Sequence, residues 1–117
     1  MIKGILITTN SAEITSAEDK LNVWYTLLNC DCIDIITRKI GDKYYDIVCD
    51  DEALLKSEPL PRAVCRNARE VLFGNIFICG LADDEGNLTS LGDDDVEKLA
   101  RYILQHPDLG PILNYNI

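Results

Sequence analysis

The stretch CDCIDIITRKIGDKYYDIVC, residues 30–49, decides how the rest of the chain reads. From Cys30 to Ile40 the side chains alternate, with Cys30, Cys32, Asp34 and Ile36 on one side and Asp31, Ile33, Ile35 and Thr37 on the other. A period of two belongs to a strand with one half-wet face. Gly41-Asp42 then supplies a turn, and Tyr44–Cys49 is again rich in β-branched and aromatic residues. Two such runs joined by a short glycine turn predict an antiparallel hairpin.

Working upstream, Met1–Thr9 reads as a first strand and Asn10–Ser16 as a polar turn. Ser16 is placed to cap a helix over residues 17–29, with Glu18 and Asp19 in its first turn, where carboxylates complement the helix dipole. Leu21, Trp24, Tyr25 and Leu28 follow at helical spacing, and Asn29 is a left-handed stop. Downstream, Asp50–Glu52 breaks the hairpin, and Glu58-Pro59-Leu60-Pro61 is an extended connection. Pro61 can open a short helix over Arg62–Glu70 as its first residue. Phe73–Ala82 is a strand whose run Ile76-Phe77-Ile78-Cys79 is apolar on both faces, which predicts a central position. Asp83–Asn87 is a turn and Leu88–Leu91 a short strand. Asp93–Asp95 caps a last helix carrying Val96, Leu99, Ala100, Ile103 and Leu104, which Pro107 ends.

The order predicts an α+β fold, a mainly antiparallel sheet with two principal helices packed on one face. A parallel doubly wound sheet would need more strand–helix–strand units than 117 residues supply. Residues 1–117 read as a single domain, with a core over 1–106 and a C-terminal tail over 107–117. That tail, with Leu109, Ile112, Leu113, Tyr115 and Ile117, is apolar enough to dock on the domain or on a second copy, so a homo-oligomer is one expectation.

Charge narrows the partners. Twenty acids against 11 Lys and Arg leave a formal net charge of −9, which removes non-specific nucleic-acid binding as a default, because neutralising phosphates needs a basic surface. The acids crowd the second half; Asp83 to Glu97 holds seven and no Lys or Arg. The apolar run 74–82 is nine residues long and holds Asn75, where a membrane span needs roughly 20. The N-terminus reads as a strand rather than an export signal. Five cysteines (Cys30, Cys32, Cys49, Cys65, Cys79) are an odd count, and four lie in apolar runs, which predicts free thiols in a cytoplasmic setting.

Three pieces carry a resemblance to something known. The hairpin ends in an acidic turn, Ile47-Val48-Cys49-Asp50-Asp51-Glu52; a leucine–proline segment with an arginine follows, Pro59-Leu60-Pro61-Arg62. Last comes Gly74-Asn75-Ile76-Phe77-Ile78-Cys79-Gly80, leading to Asp83-Asp84-Glu85-Gly86-Asn87 and Ser90-Leu91. In this order the segment Leu28–Leu99 resembles an uncharacterised family catalogued as domain of unknown function 3846. The resemblance implies a protein of phages, plasmids and integrated mobile elements, and implies no reaction or ligand.

Candidate chemistry is thin. Cys30-x-Cys32 puts two thiols on one strand face, but a structural zinc site wants two more paired ligands, and the other cysteines are scattered. His106-Pro107-Asp108 lacks the nucleophile that a catalytic histidine would serve, and reads as a helix-end histidine. The acidic turns fail the EF-hand spacing, since Gly86 is fourth counting from Asp83. No catalytic residue, metal site or cofactor is therefore expected. Arg62, Arg66 and Arg69, spaced by four and three, would share one face of a helix, either bathed in water, paired with Glu58 and Glu70, or holding an anion.

The expectation is a non-enzymatic accessory or interaction domain, its partner a host or element protein. The alternatives are a small-molecule or nucleotide-binding domain using the arginine face, and an acidic mimic of DNA.

Overall fold

The computed structural model describes residues 1–55 and 59–116; the expected connection at Glu58 and the terminal Ile117 lie outside the described residues. Antiparallel pairing dominates, organised as two sheets and two helices. The first sheet has five strands: β1 (Ile2–Ile7), β2 (Ala12–Ala17), β3 (Ile33–Ile40), β4 (Lys43–Asp50) and β7 (Ile76–Cys79), in the spatial order β2-β1-β7-β4-β3. The hairpin β3–β4 forms as the alternation predicts, Ile40 opposite Lys43 and Ile33 opposite Asp50. Gly41, at φ +69°, supplies the left-handed turn residue.

Strand β7 takes the central place that its two-sided apolar run predicts. All four of its side chains are buried. Ile76 and Ile78 point to one side of the sheet and Phe77 and Cys79 to the other, so both faces need cover. Under the helix α1 (Leu21–Leu28), Trp24 and Leu28 pack on Phe77, Cys79 and Val48. The Trp24 and Phe77 rings sit 5.0 Å apart at 55°, a tilted aromatic pair. Phe77 lies so close over Gly4 that a Cβ there would meet the ring at 2.6 Å and the Ile78 carbonyl at 2.3 Å, which makes Gly4 part of the packing.

The opposite face is covered by a second sheet and by α2 (Asp93–Ala100). That sheet comprises β5 (Pro61–Cys65), β6 (Glu70–Phe73), β8 (Ile103–His106) and β9 (Gly110–Tyr115), in the order β6-β5-β9-β8, with only β5–β9 parallel. Ala63, Cys65, Leu113 and Tyr115 from this sheet, with Leu99 from α2, meet Ile5, Ile7, Ile47 and Ile78. The two helices thus lie on opposite faces of the five-stranded sheet, not on one. Phe77 and Cys79 face α1 while Ile76 and Ile78 face the second sheet, and Leu99 packs α2 into that second apolar layer.

Five local expectations change, the first at Leu88–Leu91, which forms no strand but a single bridge of Thr89 to Gly80. Asn10–Ser16 is not a turn: Ala12–Ala17 pairs with β1 along its whole length, after a tight bend in which Thr8 Oγ1 accepts from the Asn10 and Ser11 N–H groups. Ser16 accordingly sits in a strand, and α1 starts after Lys20 with no side-chain cap. Residues 62–70 form β5, a turn and the start of β6, not a helix. The last helix stops at Ala100, because Ile103 pairs with Leu113 in β8. Adjacent apolar residues such as Ile103-Leu104 fit a helix or a strand equally, and the neighbouring strand decides.

The expected tail is the largest change. Strand β9 runs between β5 and β8, with Ile112, Leu113 and Tyr115 buried. Burying three such side chains contributes of order 5 kcal/mol or more, against a total stability of about 5–15 kcal/mol for a domain. Removing residues 107–117 is therefore expected to abolish the cooperative thermal transition seen by circular dichroism. A truncated chain melting at the parent's midpoint would contradict this placement of β9.

Candidate functional site

Arg62, Arg66 and Arg69 do not share a face. Arg62 is fully buried, whereas Arg66 and Arg69 are exposed and Arg69 sits in a turn at φ +55°. The Arg62 guanidinium donates from Nη1 to the carbonyls of Thr8 (3.0 Å) and Pro111 (2.9 Å), and from Nη2 to that of Leu109. Its Nε is buried without a hydrogen-bond partner, and no carboxylate pairs with it among the described residues. Desolvation holds its pKa below the ordinary arginine value. With its forked donors spent on backbone carbonyls, Arg62 is a clasp joining the end of β1 to the β8–β9 turn.

Two carboxylates organise the surface beside this core. Glu70 receives a forked pair from Arg38, Nε to Oε1 and Nη2 to Oε2, both 2.7 Å, and the Tyr115 hydroxyl donates to Oε1 at 2.9 Å. The Arg38 bond is the main reason its pKa lies below the ordinary value, with burial opposing. Asp95 accepts from the Gly92 N–H, which starts α2, and from Lys43 Nζ (2.8 Å) and Tyr45 OH (3.1 Å). Burial pushes the Asp95 carboxyl up, but these donors outweigh it and the net shift is downward.

The other candidates serve the fold. Cys30 lies ahead of β3, and Cys32 donates to Glu52 at 3.6 Å. Neighbouring Glu52 is the chief reason the Cys32 thiol titrates above its ordinary value, and burial pushes Cys49 and Cys79 up to about 12. Those thiols are protonated at neutral pH and poor nucleophiles. His106 Nδ1 accepts from the Asp108 and Leu109 N–H groups, closing the β8–β9 turn rather than ending a helix. Asp83 Oδ1 accepts from the Glu85 and Asn87 N–H groups, an ordinary turn role. Among the described residues no three or more of His, Cys, Asp and Glu are grouped to hold a metal ion.

The acidic turns do not form one band. Cys49 lies opposite Ile76 and Asp46 opposite Cys79, so Asp50–Glu52 and Asp83–Glu85 leave opposite ends of the β4–β7 pair. Asp93 and Asp95 are matched by Lys3 and Lys43. A DNA mimic needs a continuous negative stripe, and the register divides it.

Two concavities bear on the candidate site. A groove of about 490 Å³ opens where the edge strands β3 and β6 of the two sheets face each other. Ile36, Ala53, Leu72 and Phe73 give it an apolar lining; Asp34, Asp51 and Glu52 line one end, and the Arg38–Glu70 pair crosses it. A smaller hollow of about 210 Å³ at the end of β9 is lined by Arg66, Arg101, Tyr102, Leu104, Asn114, Tyr115 and Asn116. Sequence reasoning could not join Arg66 to Arg101, since α2 and two strands separate them. The groove's one sequence signal is the alternation of Asp34, Ile36 and Arg38.

These features define a small, β-rich α+β domain whose buried polar groups bind its own backbone and turns. Residues 2–104 match the family described as Domain of unknown function (DUF3846), and the chain belongs to that family. The match stops ahead of β9, which completes the second sheet. No curated protein and no solved structure matches the chain.

Lowered carboxyl pKa values make stability depend on acid. Glu70 and Asp95 contribute stability that is present above their ordinary values of 4.5 and 3.8 and is lost as pH falls through their lower folded values. The melting temperature is expected to hold between about pH 7 and 5 and to drop below about pH 4. In Glu70→Gln the midpoint should already be lower at pH 7 and fall less on acidification. An identical pH profile for parent and variant would contradict this.

Proposed function

We propose that the chain is a non-enzymatic interaction domain that holds an extended segment of a partner protein in the groove between β3 and β6. One observation carries the reading: two sheet edges meet there over an apolar lining with carboxylates at one end. An edge strand presents unused backbone donors and acceptors, and an extended peptide can add to it. Val71 and Leu55, 39% and 81% exposed, leave apolar surface on the rim for alternate side chains of such a segment. Asp34, Asp51 and Glu52 favour basic residues at one end, while Arg38 is already neutralised by Glu70.

The protonated thiols and the turn-bound His106 support a binding role over a chemical one. Free cysteines fit a reducing, cytoplasmic setting, and no described helix is long and apolar enough to cross a membrane. The partner belongs to the host or to the mobile element that the family resemblance implies.

Selection of a random phage-displayed peptide library against the full chain tests this. Alternating basic–apolar peptides are expected, with affinity falling as salt rises and about tenfold or more weaker for the Asp51→Lys/Glu52→Lys double variant. Peptides whose affinity ignores both that variant and Val71→Asp would contradict the proposal.

A further inference from the structure

Among the described residues Arg66 and Arg101, like Lys39, Arg69 and Lys98, form no ion pair. Lys3, Lys20, Arg38 and Lys43 are each paired with a carboxylate, and Arg62 is spent on backbone carbonyls. Neither Arg66 nor Arg101 makes a side-chain hydrogen bond or ion pair with the described residues. Yet both line the hollow at the end of β9, where no acidic side chain stands among the described lining residues although acids outnumber bases 20 to 11.

Ordered backbone holds the two together. The Arg66 N–H donates to the Tyr115 carbonyl at 3.0 Å, continuing the β5–β9 ladder by one residue. Arg101 caps the C-terminus of α2, and the next residue, Tyr102, accepts from the Asn114 N–H at 2.7 Å. Two arginines 35 positions apart in sequence thus line one hollow. Asn114 and Asn116 add amides to its wall. The amide nitrogen of Asn114 is turned back to the Ile112 carbonyl, which leaves the arginines as the principal donors.

We infer that this hollow is an anion site in which Arg66 and Arg101 hold a phosphate group. The planar fork of arginine matches phosphate oxygens two at a time, and such charge-assisted bonds are the strong ones. Size sets the limit. At about 210 Å³ the hollow is smaller than the roughly 300–1,000 Å³ that encloses a drug-sized ligand. It accepts the phosphate alone, and any remainder of a phosphorylated small molecule extends outward past Tyr102 and the half-exposed Leu104. The adjoining hollow, on whose wall Arg101 and Tyr102 also lie, sets Lys98 against Asp42. This site is separate from the β3–β6 groove, and failure of one leaves the other standing.

Isothermal titration of the full chain with inorganic phosphate, pyrophosphate and adenosine 5′-monophosphate tests the inference. Saturable pyrophosphate binding with Kd of about 1 mM or tighter at low salt is expected. Each of Arg66→Gln and Arg101→Gln should weaken it about tenfold or more, whereas Arg69→Gln, an exposed arginine outside the hollow, should leave it within about twofold. Because Arg66 and Arg101 are exposed, both variants are expected to keep the parent's melting temperature, which checks that they fold. Adenosine 5′-monophosphate binding tighter than inorganic phosphate would identify an organic phosphate as the occupant, and equal affinities would identify the free anion. Absence of saturation at about 10 mM, or equal losses in all three arginine variants, would overturn the site.

Discussion

A buried guanidinium holding three backbone carbonyls is the constraint on which the rest of this structure depends. Placing a charge in the interior is costly, and among the described residues Arg62 has no carboxylate to balance it. What offsets the cost is a set of carbonyls, from Thr8, Leu109 and Pro111, that would otherwise be orphaned where β1 ends and the β8–β9 turn closes. The turn has no slack. Gly110 sits at φ +81°, and a Cβ there would meet the Thr9 carbonyl at 2.2 Å. Arginine suits the task because its planar fork reaches several acceptors at once, which a lysine ammonium on a flexible stem does not.

From that clasp the two concavities follow. Seating the β8–β9 turn against the end of β1 fixes β9, and β9 aligns β5 and the residue after it, Arg66. Tyr115, on β9, reaches Glu70 on β6, and Glu70 in turn grips Arg38 on β3. A chain of contacts thus runs from the end of β9 to the groove between the two sheets, and the same strand forms one wall of the small hollow. The groove is shared by both sheets, whereas the small hollow is built on the second sheet and the end of α2.

What could be read from the chain alone was local. The β3–β4 hairpin, the two-sided burial of Ile76–Cys79, the left-handed Asn29 at φ +51° and the acidic start of α2 each announce themselves within a few residues. The second sheet does not: β5–β6 and β8–β9 are local pairs, and only the β5–β9 pairing, residues 63–65 with 113–115, joins them into one sheet. Arg62, Arg66 and Arg69 have helical spacing by coincidence, and the β-branched Val64 and Val71 beside them were the competing signal. The apolar cluster Ile112, Leu113 and Tyr115 reads only as a tail able to dock, because the ladder it joins is supplied by the distant β5. Burial of Arg62 had no sequence mark at all, since its acceptors are main-chain oxygens that every residue carries.

Chemical denaturation of Arg62→Met against the parent tests the central claim most directly. Methionine fills a similar volume and carries no charge to desolvate, so a variant that lost only a burdensome buried cation would be as stable as the parent or more so. If the guanidinium instead satisfies three backbone acceptors, the variant should lose about 3–5 kcal/mol, with Arg62→Lys recovering little of it. An Arg62→Met chain within about 0.5 kcal/mol of the parent, or above it, would contradict the account.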